Sequence, residues 1–239
     1  MNTAVNKNTI GKKVSAIIVA AGTSSRMHGI DKQLLDIGGM PVIARAVFAF
    51  EKSEIISEIV IVTREDIIEN INNLVLKYDF KKVKAVVKGG DTRQKSVFNG
   101  IAECSDDSEY IAIHDGARPF VTQDIIRNTV ESAIKYGAAS AAITAKDTIK
   151  IADENNKIIK TVDRDTVRQM QTPQVFKKKE YINAMKIVPN SELFTDDCQL
   201  LENYGKPIYV VESSPLNIKI TTREDIIFAE AVLRSEGND

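Results

Sequence analysis

Four short stretches of this chain collect the residue types that handle phosphate. The first is Ala20-Ala21-Gly22-Thr23-Ser24-Ser25-Arg26-Met27, followed shortly by Lys32. Its small residues let a ligand approach the backbone closely, where amides act as donors. Arg26 adds a planar, forked cation and Lys32 a compact point charge. The second stretch is Gly89-Gly90-Asp91-Thr92-Arg93-Gln94-Lys95-Ser96, and the third is His114-Asp115-Gly116-Ala117-Arg118-Pro119. The fourth is Asn217-Ile218-Lys219-Ile220. Small residues, cations and one carboxylate together suit a phosphorylated ligand. Neither the P-loop pattern G-x-x-x-x-G-K-[ST] nor the dinucleotide pattern G-x-G-x-x-G is present. Taken alone, the first stretch reads equally well as a strand-to-helix loop with exposed cations.

Single residues carry less. Asp115, next to a glycine, could hold Mg²⁺, which takes one or two carboxylates plus phosphate oxygens. A turn-forming aspartate is the alternative. His114 has no obvious acid–base partner and reads as structural; His28 reads as a loop residue. Cys104 and Cys198 lack the context of a nucleophile. Lys219 points either to solvent or into a ligand crevice, and Arg164, after Thr161-Val162-Asp163, either reaches an anion or is solvated. Gln171-Thr172-Pro173-Gln174 reads as a fixed extended turn. Thr195-Asp196-Asp197 reads first as a helix N-cap and second as a site.

The elements that must position these residues follow from periodicity. Val14–Ala21 is a continuous apolar run, as in a strand buried on both faces. Further strands are expected at Glu58–Thr63, Val83–Val87, Tyr110–His114 and Ala138–Ala145. Helices are expected from Pro41 to about Lys52, at Asp66–Tyr78, Thr92–Ala102 and Asp124–Tyr136. Alternation of this kind calls for an α/β fold, a mostly parallel sheet with helices on both faces. Ligands of such sheets bind beyond the carboxyl ends of the strands, where all four stretches would fall.

The rhythm breaks at 147. Asp147–Ala152 and Lys157–Val162 read as a β-hairpin around the polar turn Asp153-Glu154-Asn155-Asn156. A two-stranded ribbon is unstable alone, so it is expected to project and pack on a second subunit, with folding back onto its own domain as the alternative. Helices are then expected near Lys178–Ile187 and Asp196–Tyr204, strands near Ile208–Glu212 and Leu216–Ile220, and a last helix at Arg223–Leu233.

Composition excludes several classes. The chain has 239 residues, 32 Lys and Arg against 33 Asp and Glu, so its net charge of −1 gives no global field for nucleic acid. The longest apolar runs fall far short of a membrane span. Met1–Lys13 is polar and lacks the apolar core of a signal peptide. Two cysteines make neither a disulfide framework nor a zinc site. A reduced, cytoplasmic protein is expected, with residues 1–12 a loose tail and 13–239 one domain.

The stretches also recur in a fixed order. AAGTSSRM (20–27), DKQ (31–33), GGDTRQKSVFNG (89–100), HDGARPFV (114–121), KDTIK (146–150), TVDR (161–164), QTPQVF (171–176), TDD (195–197) and NIKITTREDI (217–226) span the chain after the tail. Together they closely resemble the 2-C-methyl-D-erythritol 4-phosphate cytidylyltransferases of the non-mevalonate isoprenoid pathway. Two positions depart: Ser24, where the family often has a second glycine, and Cys198, where alanine is more usual.

The resemblance implies a Rossmann-like nucleotidyltransferase fold, with a dimerisation arm at about 146–165. It implies transfer of a cytidylyl group from CTP to methylerythritol phosphate, with release of pyrophosphate. Ala20, Ala21 and Gly22 would line the nucleotide, with Arg26 and Lys32 on its phosphates. Gly90, Asp91 and Ser96 would read cytosine and ribose. Asp115 would sit near Mg²⁺ or another divalent cation, and Lys219 by the α-phosphate. Arg118, Thr148, Arg164 and Thr195 would belong with Asp115 to the sugar-phosphate pocket. In the family the hairpin crosses to the partner of a homodimer, so Thr148 and Arg164 would serve the neighbour's site. Rival readings are a cytidylyltransferase for another polyol phosphate, such as ribitol 5-phosphate, and a nucleotide-binding module without catalysis. A glycosyltransferase would want a paired acidic metal motif such as D-x-D, and none is found at a suitable strand end.

Overall fold

The structure is a computed structural model that describes residues 11–23, 31–188 and 194–236. Ser24, Arg26 and His28, and residues 1–10 of the expected tail, lie outside the described residues.

The apolar run that opens the chain forms β1 (Val14–Ala20), flanked by parallel partners β4 (Glu58–Thr63) and β6 (Tyr110–Asp115). Beyond β4 lies β5 (Val83–Lys88), also parallel. On the far side stand β7 (Ala138–Thr144) and β11 (Tyr209–Glu212), parallel to each other. The seven-stranded order is β11-β7-β10-β6-β1-β4-β5, with β10 (Arg168–Lys177) antiparallel to both its neighbours. The sheet is therefore mostly parallel, as expected.

Because side chains alternate along a strand, β1 feeds two cores. Val14, Ala16, Ile18 and Ala20 pack with α1 (Val42–Glu51), α2 (Ile68–Lys77) and α4 (Gln123–Tyr136). Ile17 packs on the other face with α3 (Arg93–Ala102), α5 (Lys178–Ile187) and α6 (Asp197–Asn203). The Thr92 and Thr122 hydroxyls cap α3 and α4, each cap contributing about 1 kcal/mol. Gly100 lets α3 lie close on the sheet: a Cβ there would come within 2.7 Å of Ile17 and 2.8 Å of Val62. A small third core joins α7 (Arg223–Glu236) to Ile37, Val42, Phe120 and Ile220. Ile37 belongs to a short hairpin, β2 (Asp36–Ile37) and β3 (Met40–Pro41), inside the expected loop.

Among the described residues, the hairpin β8 (Ile149–Ala152) and β9 (Ile158–Val162) pairs only with itself. Asp153 Oδ1 accepts from the amides of Asn155 and Lys157, closing the expected turn. Ile158 and Ile159 are 60% and 62% exposed.

Two expectations are corrected. Residues 171–174 are not a turn between elements; they lie within β10. The ladder to β7 shifts between Met170 and Gln174, so Pro173, which has no amide hydrogen, falls where no bond is required. Leu216–Ile220 is not a strand. Asn217 is fully buried there and donates to Gln171 Oε1 and Thr172 O, so side-chain bonds replace a ladder. Among the described residues no helix is long and apolar enough to cross a membrane.

Candidate active site

The chain leaves β1 for β4 on one side and later returns to β6 on the other. That reversal opens a crevice at the carboxyl ends of the strands, and a cavity of about 340 Å³ lies there. One wall is Ala21, Gly22 and Thr23, continued by Lys32 and Gln33. The opposite wall is the start of α3 with the turn before it, Gly90 to Arg93 and Ser96. Asp115 and Ala117 come from the end of β6, and Lys219 from the segment before α7. Residues some two hundred positions apart thus share one site.

The two walls touch through Gly89, where a Cβ would come within 2.4 Å of the Ala21 Cβ and 2.8 Å of the Ser96 Oγ. Ser96 Oγ donates to Thr92 O (2.9 Å) and accepts from the Gly90 amide (3.1 Å). With its hydrogen engaged, Ser96 shapes the turn and can only accept from a ligand. Asp91 is exposed and paired with Lys95 at 3.6 Å.

Asp115 is 8% exposed. Burial alone would raise its pKa, but Lys219, Arg93 and Arg118 outweigh it and hold the carboxyl ionised, well below its ordinary value. Lys219 Nζ lies 2.7 Å from Oδ2, Arg93 Nη2 3.6 Å from Oδ1, and Arg118 Nε 3.8 Å from Oδ2. Arg93 also pairs with Asp197, which is fully buried and accepts from the Tyr181 hydroxyl at 2.6 Å. Burial works against charge on Arg93, yet Asp197 and Asp115 keep its pKa above the ordinary value. Positive groups are thereby fixed before any ligand arrives.

His114 is fully buried, which pushes its pKa down to about 4. Its Nε2 donates to Arg118 O (3.1 Å), and Thr172 Oγ1 donates to Nδ1 (3.0 Å). The Asp115 amide donates in turn to Thr172 Oγ1 (3.1 Å). Both ring nitrogens are occupied in the neutral form, so the imidazole offers no proton acceptor to a substrate.

Of the residues expected from sequence, Ala21, Gly22, Lys32, Gly90, Asp91, Ser96, Asp115 and Lys219 line the cavity. Ala20 is 1% exposed at the end of β1, inside the core. Arg118 braces Asp115 without lining the cavity, its Nη1 donating to Asn217 O at 2.7 Å. Thr195 is exposed and its hydroxyl donates to Gln199 Oε1, while Asp196 caps α6. Thr148 and Arg164 flank the hairpin, both exposed, with Arg164 Nη1 donating to Lys146 O at 3.0 Å. Arg93 was not singled out from sequence, although it stands in a quoted stretch; its partner Asp197 is 104 residues away.

A family model described as IspD, 2-C-methyl-D-erythritol 4-phosphate cytidylyltransferase, matches residues 14–235. The chain is 45% identical over 223 residues to the 2-C-methyl-D-erythritol 4-phosphate cytidylyltransferase of Clostridium botulinum (strain Langeland), covering 92% of this chain and 97% of that one. It is 46% identical over 224 residues to the protein of that name from Caldanaerobacter subterraneus subsp. tengcongensis, covering 92% and 99%. Among solved structures it is similar to the 4-diphosphocytidyl-2C-methyl-D-erythritol synthase of Anaerococcus prevotii, with a TM-score of 0.86 and 36% identity over 96% of this chain and 99% of that one.

Proposed function

The chain belongs to the 2-C-methyl-D-erythritol 4-phosphate cytidylyltransferase family, and from that premise we propose that its reaction takes place in the cavity at the ends of β1 and β6. The enzyme transfers a cytidylyl group from CTP to 2-C-methyl-D-erythritol 4-phosphate and releases pyrophosphate, a step of isoprenoid precursor biosynthesis. The observation that carries the siting is the convergence of Lys32, Arg93, Asp115 and Lys219 on one cavity from four separate segments.

The acceptor's phosphate oxygen attacks the α-phosphorus of CTP in line with departing pyrophosphate. That oxygen is already ionised near neutral pH, since the second phosphate pKa is about 6. No general base is required, and the engaged state of His114 accords with this. The chain's work is to position two anions and to balance charge as a third departs. Lys219, held by Asp115, serves the α-phosphate, and Lys32 the phosphates beyond it. The resemblance adds Arg26 to the phosphates, a residue outside the described ones. The backbone of Ala21 and Gly22 lies along the nucleotide, and Gly90, Asp91 and Ser96 meet cytosine and ribose.

Mg²⁺ belongs to this proposal. Among the described residues no three His, Cys, Asp or Glu groups converge, which fits an ion held largely by nucleotide phosphate oxygens and water. Asp115, the carboxylate at the end of β6, would hold it through Oδ1, which stands 3.6 Å from Arg93, beyond hydrogen-bond distance. Bound there, a divalent cation would neutralise charge on the phosphates.

The homodimer is proposed as well. Thr148 and Arg164 are exposed and do not line their own cavity, and the hairpin between them shows apolar Ile158 and Ile159 to solvent. Seating the hairpin on a partner covers those residues and lends Thr148 and Arg164 to the partner's acceptor pocket, beside that pocket's Arg118 and Thr195. Pyrophosphate release tests the whole reading, with CTP against the other common nucleotides and methylerythritol phosphate against ribitol 5-phosphate. Release only with CTP and methylerythritol phosphate is expected; a purine preference would remove the roles given to Gly90, Asp91 and Ser96.

A further inference from the structure

Arg64 follows the last residue of β4, on the same carboxyl edge as the cavity, but does not line it. Its guanidinium grips two points of the cavity's first wall. Nη1 donates to the carbonyl of Gly22 at 3.3 Å. Nη2 donates to Asp31 Oδ2 at 2.5 Å. The other oxygen of Asp31 accepts from the Gln33 amide at 2.9 Å, an Asx turn whose middle residue is Lys32. Gly22, Lys32 and Gln33 all line the cavity. One planar side chain thus ties the stretch leaving β1 to the turn that presents Lys32. The fork geometry matters, since a lysine ammonium cannot reproduce two divergent, directed donors. Arg64 and Asp31 are only 21% and 22% exposed at their side chains, so solvent screens their pair less than an ordinary surface one. Asp66, 66% exposed, accepts from Arg64 Nε at 3.0 Å and orients the guanidinium from outside.

We propose that Arg64 is a positioning residue for the triphosphate: it clasps Gly22 to the Asp31 turn and so sets where Lys32 stands, without touching the nucleotide. The inference rests on the reading that Lys32 contacts the phosphates of CTP. Small misplacements of a positioned group commonly cost up to about a hundredfold in rate. A clasp acting on one wall affects the nucleotide and spares the acceptor.

The test compares Arg64→Ala, Arg64→Lys, Asp66→Ala, Lys32→Ala and the double variant Arg64→Ala/Lys32→Ala in the full-length enzyme. The readings are kcat and KM for each substrate, with thermal unfolding in parallel. For Arg64→Ala, a fall in kcat/KM for CTP of roughly tenfold to a hundredfold is expected, with KM for methylerythritol phosphate unchanged. Arg64→Lys should recover little of the loss, and Asp66→Ala, which removes the orienting carboxylate but leaves both clasped partners, should lose less than Arg64→Ala. In the Lys32→Ala background, Arg64→Ala should cost clearly less than it does in the wild type, because most of its effect passes through Lys32. Equal damage to both substrates, full recovery by lysine, or additive losses in the double variant would overturn the proposal. If Lys32→Ala is itself active, the reading beneath it fails; if Lys32→Ala is crippled and Arg64→Ala is normal, the clasp alone fails.

Discussion

Replacing His114 with glutamine separates a structural histidine from a catalytic one by two independent readings. In the native protein burial lowers the imidazole pKa from 6.5 to about 4. Above pH 6.5 both the folded and unfolded chains hold it neutral, and it costs nothing. As pH falls from 6.5 towards 4 the unfolded chain takes up a proton that the folded chain refuses, so folding stability drops. Two and a half pKa units correspond to about 3 kcal/mol lost across that window. Glutamine does not titrate and can still donate to the Arg118 carbonyl. His114→Gln is therefore expected to be less stable at pH 7, because the tilted contact with Phe50 is lost, but to show a flatter fall between pH 6.5 and 4.5. Carboxylates held low in the fold, Glu58 and Asp115 among them, add their losses only below about 4.5, in both proteins alike. Urea unfolding at pH 7, 5.5 and 4.5 measures the difference, and turnover at pH 7.5 supplies the second reading. A general base would cost roughly a hundredfold to ten-thousandfold on removal; His114→Gln should stay within about tenfold. Parallel stability curves, or turnover lost on the larger scale with the fold intact, would refute the reasoning.

Lys219→Ala and Lys32→Ala should each lower kcat by roughly a hundredfold to a thousandfold with native circular dichroism, and near-normal turnover of either would contradict its role. Asp197→Asn removes the fully buried partner of Arg93, leaving only Asp115 at 3.6 Å, and should destabilise by about 3 kcal/mol in urea unfolding, whereas Tyr181→Phe, which removes only a hydroxyl bonded to Asp197, should cost nearer 1–2 kcal/mol. Mixing inactive Lys219→Ala with inactive Arg164→Ala should restore activity in about a quarter of sites after subunit exchange, because mixed dimers pair an intact cavity with an intact arm; no recovery would place Arg164 in its own protomer's site.

The parallel framework was legible because its signals are local. Val14–Ala20, Glu58–Thr63 and Tyr110–Asp115 are mostly apolar runs, each followed by a small-residue or acidic loop, and the hairpin announced itself by its polar turn. The strand β10 was not, because its centre carries Gln171, Thr172, Pro173 and Gln174, which read locally as punctuation. They are tolerated in the middle of a sheet because distant groups satisfy them: His114 and the Asp115 amide at Thr172, Asn217 at Gln171, and Asp196 with the Asp197 amide at Gln174. Leu216–Ile220 failed in the opposite sense, since apolar alternation looked like a strand while Asn217 locked the backbone elsewhere. The cavity itself was legible as a set of small residues and cations. Arg93 and Arg64 were not, because an arginine acquires meaning only from the carboxylates it meets in space.

The position of β10 has a consequence for how the chain comes into being. Without it the sheet is two separate pieces, β11-β7 on one side and β6-β1-β4-β5 on the other, and β10 is the one strand that joins them. A nascent chain that has emerged only as far as the hairpin has made the strand on each side of that gap but not the strand that fills it. Truncations ending before residue 168 should accordingly leave β6 as a raw margin, inviting pairing with other chains during synthesis.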